Sequence, residues 1–250
     1  MPTLIEQAHS RQWFYSYQLP DGSTVPTYHG IDIQSIHDTR WNMLDACLAE
    51  RLGEDRSRLS AVDLASHQGW FAVNLAQSGF GRVQGIEARD SHVDDSRLIA
   101  DVYGLDNLSF RQGDIHGIDT DATGRFDLVM MLGLLYHLEN PVGALRTCRA
   151  LCKDLCLIET QIMPGMTGYV DYGSYQYVRP LKGSFGIIDE TDDTHGPEAS
   201  ITGICLVPSL EALTWLLHKV GFSRVDVLEP PEDAYEQLKH HKRVMVAAQV

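Results

Sequence analysis

Several features are missing from this chain, and each absence excludes something. No run approaches the roughly 18 apolar residues of a membrane span, although 44% of the 250 residues are hydrophobic. The opening stretch MPTLIEQAHSRQWFYSYQ has no apolar segment behind a basic one, so neither a secretory leader nor an Arg-rich transit peptide is expected, and the expected location is cytoplasmic. Cysteine is sparse: five residues, an odd number, with no CxxC spacing. That argues against a disulfide framework and a zinc ribbon, and no metal is expected. Cys148, Cys152 and Cys156 recur every fourth position and read as small buried hydrophobes near a helix end. Positive charge is in deficit, with 20 Lys and Arg against 34 Asp and Glu, a net charge of -14. A surface that tracks phosphates is normally basic, so nucleic acid is disfavoured as a partner. The basic clusters near Arg11 and at Lys239–Arg243 read as solvated surface. Internal repeats and low-complexity tracts are also missing.

What remains is an alternation. Apolar runs of strand length stand at Ala61–Ala65, Val83–Glu87, Leu108–Arg111, Phe126–Leu132, Leu155–Thr160, Ser223–Leu228 and Arg243–Ala248. Segments with helical spacing, Trp70–Gln77, Ser91–Tyr103 and Pro141–Cys152, separate the first strands. Strand-helix repetition implies right-handed crossovers and a parallel sheet with helices on both faces. Ser209 is a good N-cap for LEALTWLLHKV, and Gly221 a good stop. The last two strands follow closely and should form an antiparallel couple at the sheet edge.

The expected fold is therefore α/β: a Rossmann-like, seven-stranded, mostly parallel sheet with strand 7 antiparallel. One domain spans 1–250, with an N-terminal extension (1–55, helical from Arg40 to Leu52), a core (56–161), an irregular cap inserted after strand 5 (162–207), and a C-terminal helix and strand pair (208–250).

In such sheets ligands bind beyond the carboxyl ends of the strands, so residues there carry most weight. VDLASHQGWF places Asp63 at the end of the first strand and Gly69 before a helix, where backbone passes close to a ligand. A dinucleotide fingerprint GxGxxG is lacking: one glycine remains, and His67 and Gln68 enter the turn. GIEAR puts Glu87 at the second strand tip, where a carboxylate can accept two ribose hydroxyls. QGDIH puts Asp114 after the third, suited to an adenine amino group. A solvated acid or a turn former is the plain alternative for each. FDLVMMLGLLYHLENP breaks at Gly133 and turns through Tyr136 and His137.

The order VDLASHQG, VQGIEA, FRQGDI, FDLVMMLGLLYHLENP and LIETQ resembles the class I S-adenosylmethionine-dependent methyltransferases, and among them the group of tRNA wobble-uridine 5-carboxymethoxy methyltransferase-like proteins. WFYSYQLPDG also resembles that group's lead-in segment. The resemblance implies that Asp63, Ala65, Ser66 and Gly69 surround the methionine part of the cofactor. Glu87 and Ala88 would hold the ribose, and Asp114 with Ile115 would meet the adenine. Leu132 and Gly133 would line the methionine end, with Tyr136 and His137 facing the methyl group. S-adenosylhomocysteine would be the product. The carboxymethyl-transferring member has arginines after its YH pair, whereas Leu138 and Glu139 stand here, so the ordinary cofactor is expected rather than its carboxy derivative.

Methyl transfer from a sulfonium is an in-line displacement that depends on positioning. An oxygen or nitrogen nucleophile is helped by a base, for which His137 and Glu159 are candidates, with Tyr136 beside them. Tyr169, Tyr172, Tyr175 and Tyr177 in the cap, and Trp13 in the extension, are candidates for clasping a flat acceptor. Asp192, Asp193 and His195 read as a solvated loop. A small-molecule acceptor is favoured over tRNA by the acidic charge. An NAD-dependent oxidoreductase would need the missing glycine fingerprint, and a noncatalytic nucleotide-binding scaffold would not need the Tyr136, His137 and Glu159 group.

Overall fold

The computed structural model describes residues 2–28, 33–172, 175–190, 200 and 202–250, the side chains of 171–178 excepted. Its centre is a seven-stranded sheet in the order β10-β11-β5-β4-β1-β2-β3. The strands are β1 (Ser60–Leu64), β2 (Arg82–Glu87), β3 (Leu108–Gln112), β4 (Phe126–Leu132), β5 (Cys152–Gln161), β10 (Arg224–Leu228) and β11 (Arg243–Gln249). β1 to β5 pair in parallel, and β11 lies antiparallel between β5 and β10. This is the expected sheet, and the parallel strands explain the continuous apolar runs. β1 is buried throughout, as a strand covered on both faces must be.

Two apolar clusters sandwich the sheet. One joins the extension, α1 (Leu4–His9), α2 (Gln34–Leu52), α3 (Trp70–Gln77) and α4 (Asp90–Tyr103) to one face. The other packs α6 (Pro141–Leu151) and α7 (Leu210–Val220) on the opposite face. A short α5 (Thr120–Thr123) and α8 (Glu236–Lys239) complete the α-helices among the described residues, and a 3-10 turn spans Leu135–His137. The caps are built as the sequence indicates. Asn140 accepts from Gly143 N with Pro141 in the first turn, and Ser209 accepts from Ala212 N. Gly221 closes α7 in the left-handed region. No helix among the described residues is long and apolar enough to cross a membrane.

Two expectations change. α2 starts at Gln34, six residues before Arg40, because Ile33 stands at its N-cap without a side-chain hydrogen bond and leaves no local start signal. The described residues of the insertion after β5 include regular strands. β6 (Thr167–Tyr172) and β7 (Tyr175–Lys182) form a hairpin, and β8 (Phe185–Asp189) pairs with β9 (Ile204–Pro208). Leu206 N donates to Leu138 O, which ties this second pair to the turn after β4.

Candidate active site

At the carboxyl ends of β1, β2, β3 and β4 lies a cavity of about 710 Å³. Its wall includes Ala65, Glu87, Ala88, Asp114, Ile115, Leu132, Gly133, Tyr136 and His137. Nine of the sequence candidates from four strand tips thus face one space. Its volume falls in the range of roughly 300–1,000 Å³ typical of small-ligand sites.

Glu87 is the most constrained of these. It is buried, and its carboxylate accepts from His67 N and Arg89 N, both at 2.9 Å. Two backbone donors fix its orientation and leave lone pairs for a ligand. Asp114 forms an Asx turn, accepting from His116 N at 2.8 Å, which aims the loop after β3 at the cavity. The loop after β1 keeps a left-handed backbone even without its glycines: φ is 57° at Ala65, 50° at His67 and 89° at Gly69. At the two non-glycine positions this costs on the order of 1 kcal/mol each, a strain the surrounding structure must offset to keep Ala65 and His67 at the cavity wall.

Asp63, Ser66 and Gly69 occupy a different place from the one the resemblance implies. All three are buried behind the loop rather than in the wall, because the left-handed turn brings only Ala65 and His67 forward. Gly69 is needed for packing as well as for its φ, since a Cβ there would lie 2.7 Å from the Phe110 ring. The Asp63 carboxyl is pushed up to about 8 by burial, with a further contribution from the neighbouring charge of Glu87.

Glu159 is the clearest correction. It is fully buried and clamped between two guanidiniums: Arg40 Nη2 donates at 2.9 Å and Arg243 Nη1 at 3.3 Å. A carboxylate in that clamp is an anchor for two arginines, with both of its oxygens already engaged. Tyr136 is part of the same network. Its hydroxyl accepts from Arg243 Nη2 at 2.9 Å, and the Arg243 guanidinium lies 4.6 Å from its ring centre. Tyr136 therefore holds Arg243 and walls the cavity.

Trp13 is not among the residues that line the cavity. It is fully buried and donates its indole N–H to Ala8 O at 2.8 Å, while the adjoining Phe14 and Tyr15 line the cavity instead. Tyr169 is 77% exposed and lies in a separate surface groove with Trp215. It sits on the outer hairpin, away from the strand tips. Tyr172 and Tyr175 lie on the backbone of β6 and β7, as does Tyr177, but their side chains fall outside the described residues. Asp192, Asp193 and His195 also fall outside them.

His137 lines the cavity, and its Nδ1 lies 2.6 Å from Glu190 Oε2, a buried carboxylate delivered by the end of β8. Glu190, Arg40 and Arg243 were not legible as site residues. Arg40 reads as one polar residue of a helix, and Arg243 closes a run that reads as solvated surface, yet both are buried in the cavity wall. The positive charge absent after the YH pair arrives instead from α2 and β11.

The family model of the methyltransferase domain matches residues 37–227. A tRNA U34 carboxymethyltransferase of Desulfotalea psychrophila is 25% identical over 228 residues, covering 89% of this chain and 62% of that protein. The chain thus spans less than two thirds of that relative. A ubiquinone biosynthesis O-methyltransferase of Acinetobacter baylyi is 22% identical over 121 residues, 48% of each chain. Among solved structures, the N-terminal domain of EvdMO1, crystallised in the presence of SAH and D-fucose, aligns with a TM-score of 0.65 at 21% identity, covering 94% of this chain and 90% of that one. Magnesium protoporphyrin IX methyltransferase of Synechocystis PCC 6803 aligns at 0.56 with 14% identity, covering 88% of each. At these identities the structures speak to the fold, while the family model covers most of the chain. The chain belongs to the methyltransferase domain family, and its sheet is that of the class I S-adenosylmethionine-dependent methyltransferases.

Proposed function

We propose that this chain transfers a methyl group from S-adenosylmethionine, by in-line displacement, to an oxygen or nitrogen of a small-molecule acceptor. The observation that carries the reading is that two strand-tip acids, Glu87 and Asp114, and the Tyr136–His137 turn share the wall of one cavity.

The residues present fit the cofactor. Glu87 offers a fixed carboxylate to the ribose hydroxyls, Asp114 and Ile115 flank the adenine position, and Ala88 closes the ribose side. Ala65, Leu132 and Gly133 border the methionine end. Arg40 stands next to Gly133, and its Nε is buried without a hydrogen-bond partner. Arg40 and Arg243 together carry one positive charge more than Glu159 cancels, which matches one α-carboxylate and supports the ordinary cofactor over a carboxylated one. When bound, the cofactor supplies an electrophilic methyl on a sulfonium. The protein then has to position a nucleophile near it and exclude water, and both raise the rate without a covalent enzyme intermediate.

The acceptor side favours a small molecule. Phe14, Tyr15, Ile36 and Leu138 give the wall an apolar and aromatic lining. The relatives named for O-methyl transfer and the neighbour crystallised with D-fucose are consistent with a compact acceptor. The tRNA relative supports a second reading, in which a nucleotide base extruded from its stack would enter the same cavity. Calorimetric titration with S-adenosylhomocysteine, NAD and ATP tests the assignment: only the first should bind. Weighing the cofactor that copurifies tests the methyl donor, and an extra carboxylate in that mass would replace methyl with carboxymethyl transfer.

A further inference from the structure

The second strand pair of the cap carries chemistry that the sequence does not announce. Three donors converge on one oxygen of Glu190: His137 Nδ1 at 2.6 Å, Ser200 N at 2.8 Å and Cys205 Sγ at 3.4 Å. Glu190 and Cys205 are buried, and the backbone N–H of Glu190 donates to Gly203 O at 2.8 Å. The β8–β9 pair is thereby braced against the turn that holds His137. The Cys205 thiol is pushed up to about 11, by burial and by the Glu190 charge, and so remains a donor.

Such convergence makes Oε2 a well-stabilised anionic acceptor. A carboxylate that accepts from Nδ1 fixes the imidazole as the Nδ1–H tautomer and assigns the acceptor role to Nε2. The ring stands in the cavity wall, with the Tyr136 ring centre 4.0 Å from its own. His137, Glu190 and Cys205 also form a set of donors close enough to suit a soft divalent metal. A metal would have to take a carboxylate whose nearest oxygen already serves three donors, so the geometry favours proton chemistry.

We infer that Glu190 is a positioning residue that makes His137 a general base, and that the acceptor it serves is a hydroxyl compound. The inference rests on the methyltransferase reading above and narrows its acceptor class. In the step, the hydroxyl proton passes to His137 Nε2, and the oxygen electron pair so released forms the new O–C bond. The C–S bond breaks with its pair returning to sulfur, leaving a neutral thioether. The imidazolium formed is paired with Glu190 until it gives its proton to solvent. A neutral alcohol or phenol becomes a strong nucleophile as its proton leaves, which is the step an oriented base serves.

The test begins with nitrogen-15 magnetic resonance of His137 in the complex with S-adenosylhomocysteine, its signal assigned by loss in H137Q. The wild-type protein should show the Nδ1–H tautomer with a far-downfield proton, and E190Q should move that proton upfield or abolish it. Calorimetry should give the same S-adenosylhomocysteine affinity for both proteins, which also reports that E190Q is folded. An Nε2–H tautomer in the wild type, or a resonance indifferent to E190Q, overturns the dyad while leaving the cofactor reading intact. Failure of the wild type to bind S-adenosylhomocysteine removes the cofactor reading instead. Stoichiometric zinc in the purified protein that is lost in C205S would also overturn the dyad and make the cluster a metal site. Phenol and 4-nitrophenol serve as probe acceptors. Where they turn over, H137Q should lower kcat about 100-fold or more with phenol, in line with general base catalysis, and much less with the readily ionised nitrophenol. Equal losses overturn the base role, and if neither probe is accepted the tautomer decides alone.

Discussion

Arg40 and Asp63 are buried ionisable side chains whose surroundings give measurable consequences. Arg40 donates from Nη2 to Glu159 and has Nη1 3.4 Å from His37 Nδ1, while its Nε is buried without a partner and its guanidinium lies beside Gly133. If that guanidinium receives the methionine carboxylate, R40Q should weaken S-adenosylhomocysteine binding by about 10- to 100-fold, since a charge-assisted hydrogen bond contributes roughly 1.5–3 kcal/mol. Binding of 5′-methylthioadenosine, which has no carboxylate, should be unchanged. Calorimetry with both ligands checks this, and an equal loss for the two would mean that R40Q damages the fold instead. Asp63 tells of pH. Its carboxyl titrates near 8 in the fold against an ordinary value of 3.8, so between those values the folded state holds a proton that the unfolded chain has released. Stability must then fall as pH rises from about 4 to about 8, and level off above. D63N, isosteric and uncharged, should flatten that part of the dependence, which melting curves at pH 5, 6, 7 and 8 would reveal. An unchanged slope would place the source elsewhere.

At the scale of elements, strands and caps were legible because their causes are local. The central parallel strands β4 and β5 carry long apolar runs, and Ser209, Pro141 and Gly221 mark helix ends by their own chemistry. The β8–β9 pair was not legible, since its register joins Phe185 to Pro208 and Asp189 to Ile204 across an intervening segment too long to mark a hairpin by its turn. The site divides in the same way. Glu87, Asp114 and His137 follow directly from their strands, so residue type and position sufficed. Arg40, Arg243 and Glu190 arrive from a helix, an antiparallel strand and the cap, and only packing brings them together. Close packing between neighbouring strands also gives a prediction. A Cβ on Gly85 of β2 would lie 2.3 Å from the Phe110 ring of β3 and 2.8 Å from Ser66 Oγ under the loop after β1. G85A should therefore cost about 1–3 kcal/mol by overpacking, lowering Tm by roughly 2–12 °C for a chain of this size. It should also weaken S-adenosylhomocysteine binding, because the same loop presents Ala65 and donates His67 N to Glu87. A variant as stable as the parent would show that β2 and β3 can separate freely.

For the molecule as a whole the decisive quantity is the net charge of -14, because it bears on whether a polyanion can reach the cavity. A protein that neutralises phosphates releases counterions, and its affinity then falls steeply with salt. The two basic clusters that might have served are partly consumed internally. Arg11 pairs with Asp95, and Arg243 is turned inward onto Glu159, Tyr136 and Gln237. If the net charge governs the surface field, nucleic acid should be repelled over about a Debye length, roughly 8 Å at physiological ionic strength. A small hydroxyl compound is subject to no such barrier. Unmodified tRNA added at 0.15 M salt should therefore neither bind measurably nor compete with a small acceptor, and lowering the salt should change turnover of a neutral acceptor little. Filter binding and kinetics across a salt series read both quantities. Tight tRNA binding with a steep dependence on salt concentration would mean that a local basic patch overrides the global field, and would return the acceptor to the nucleic-acid class.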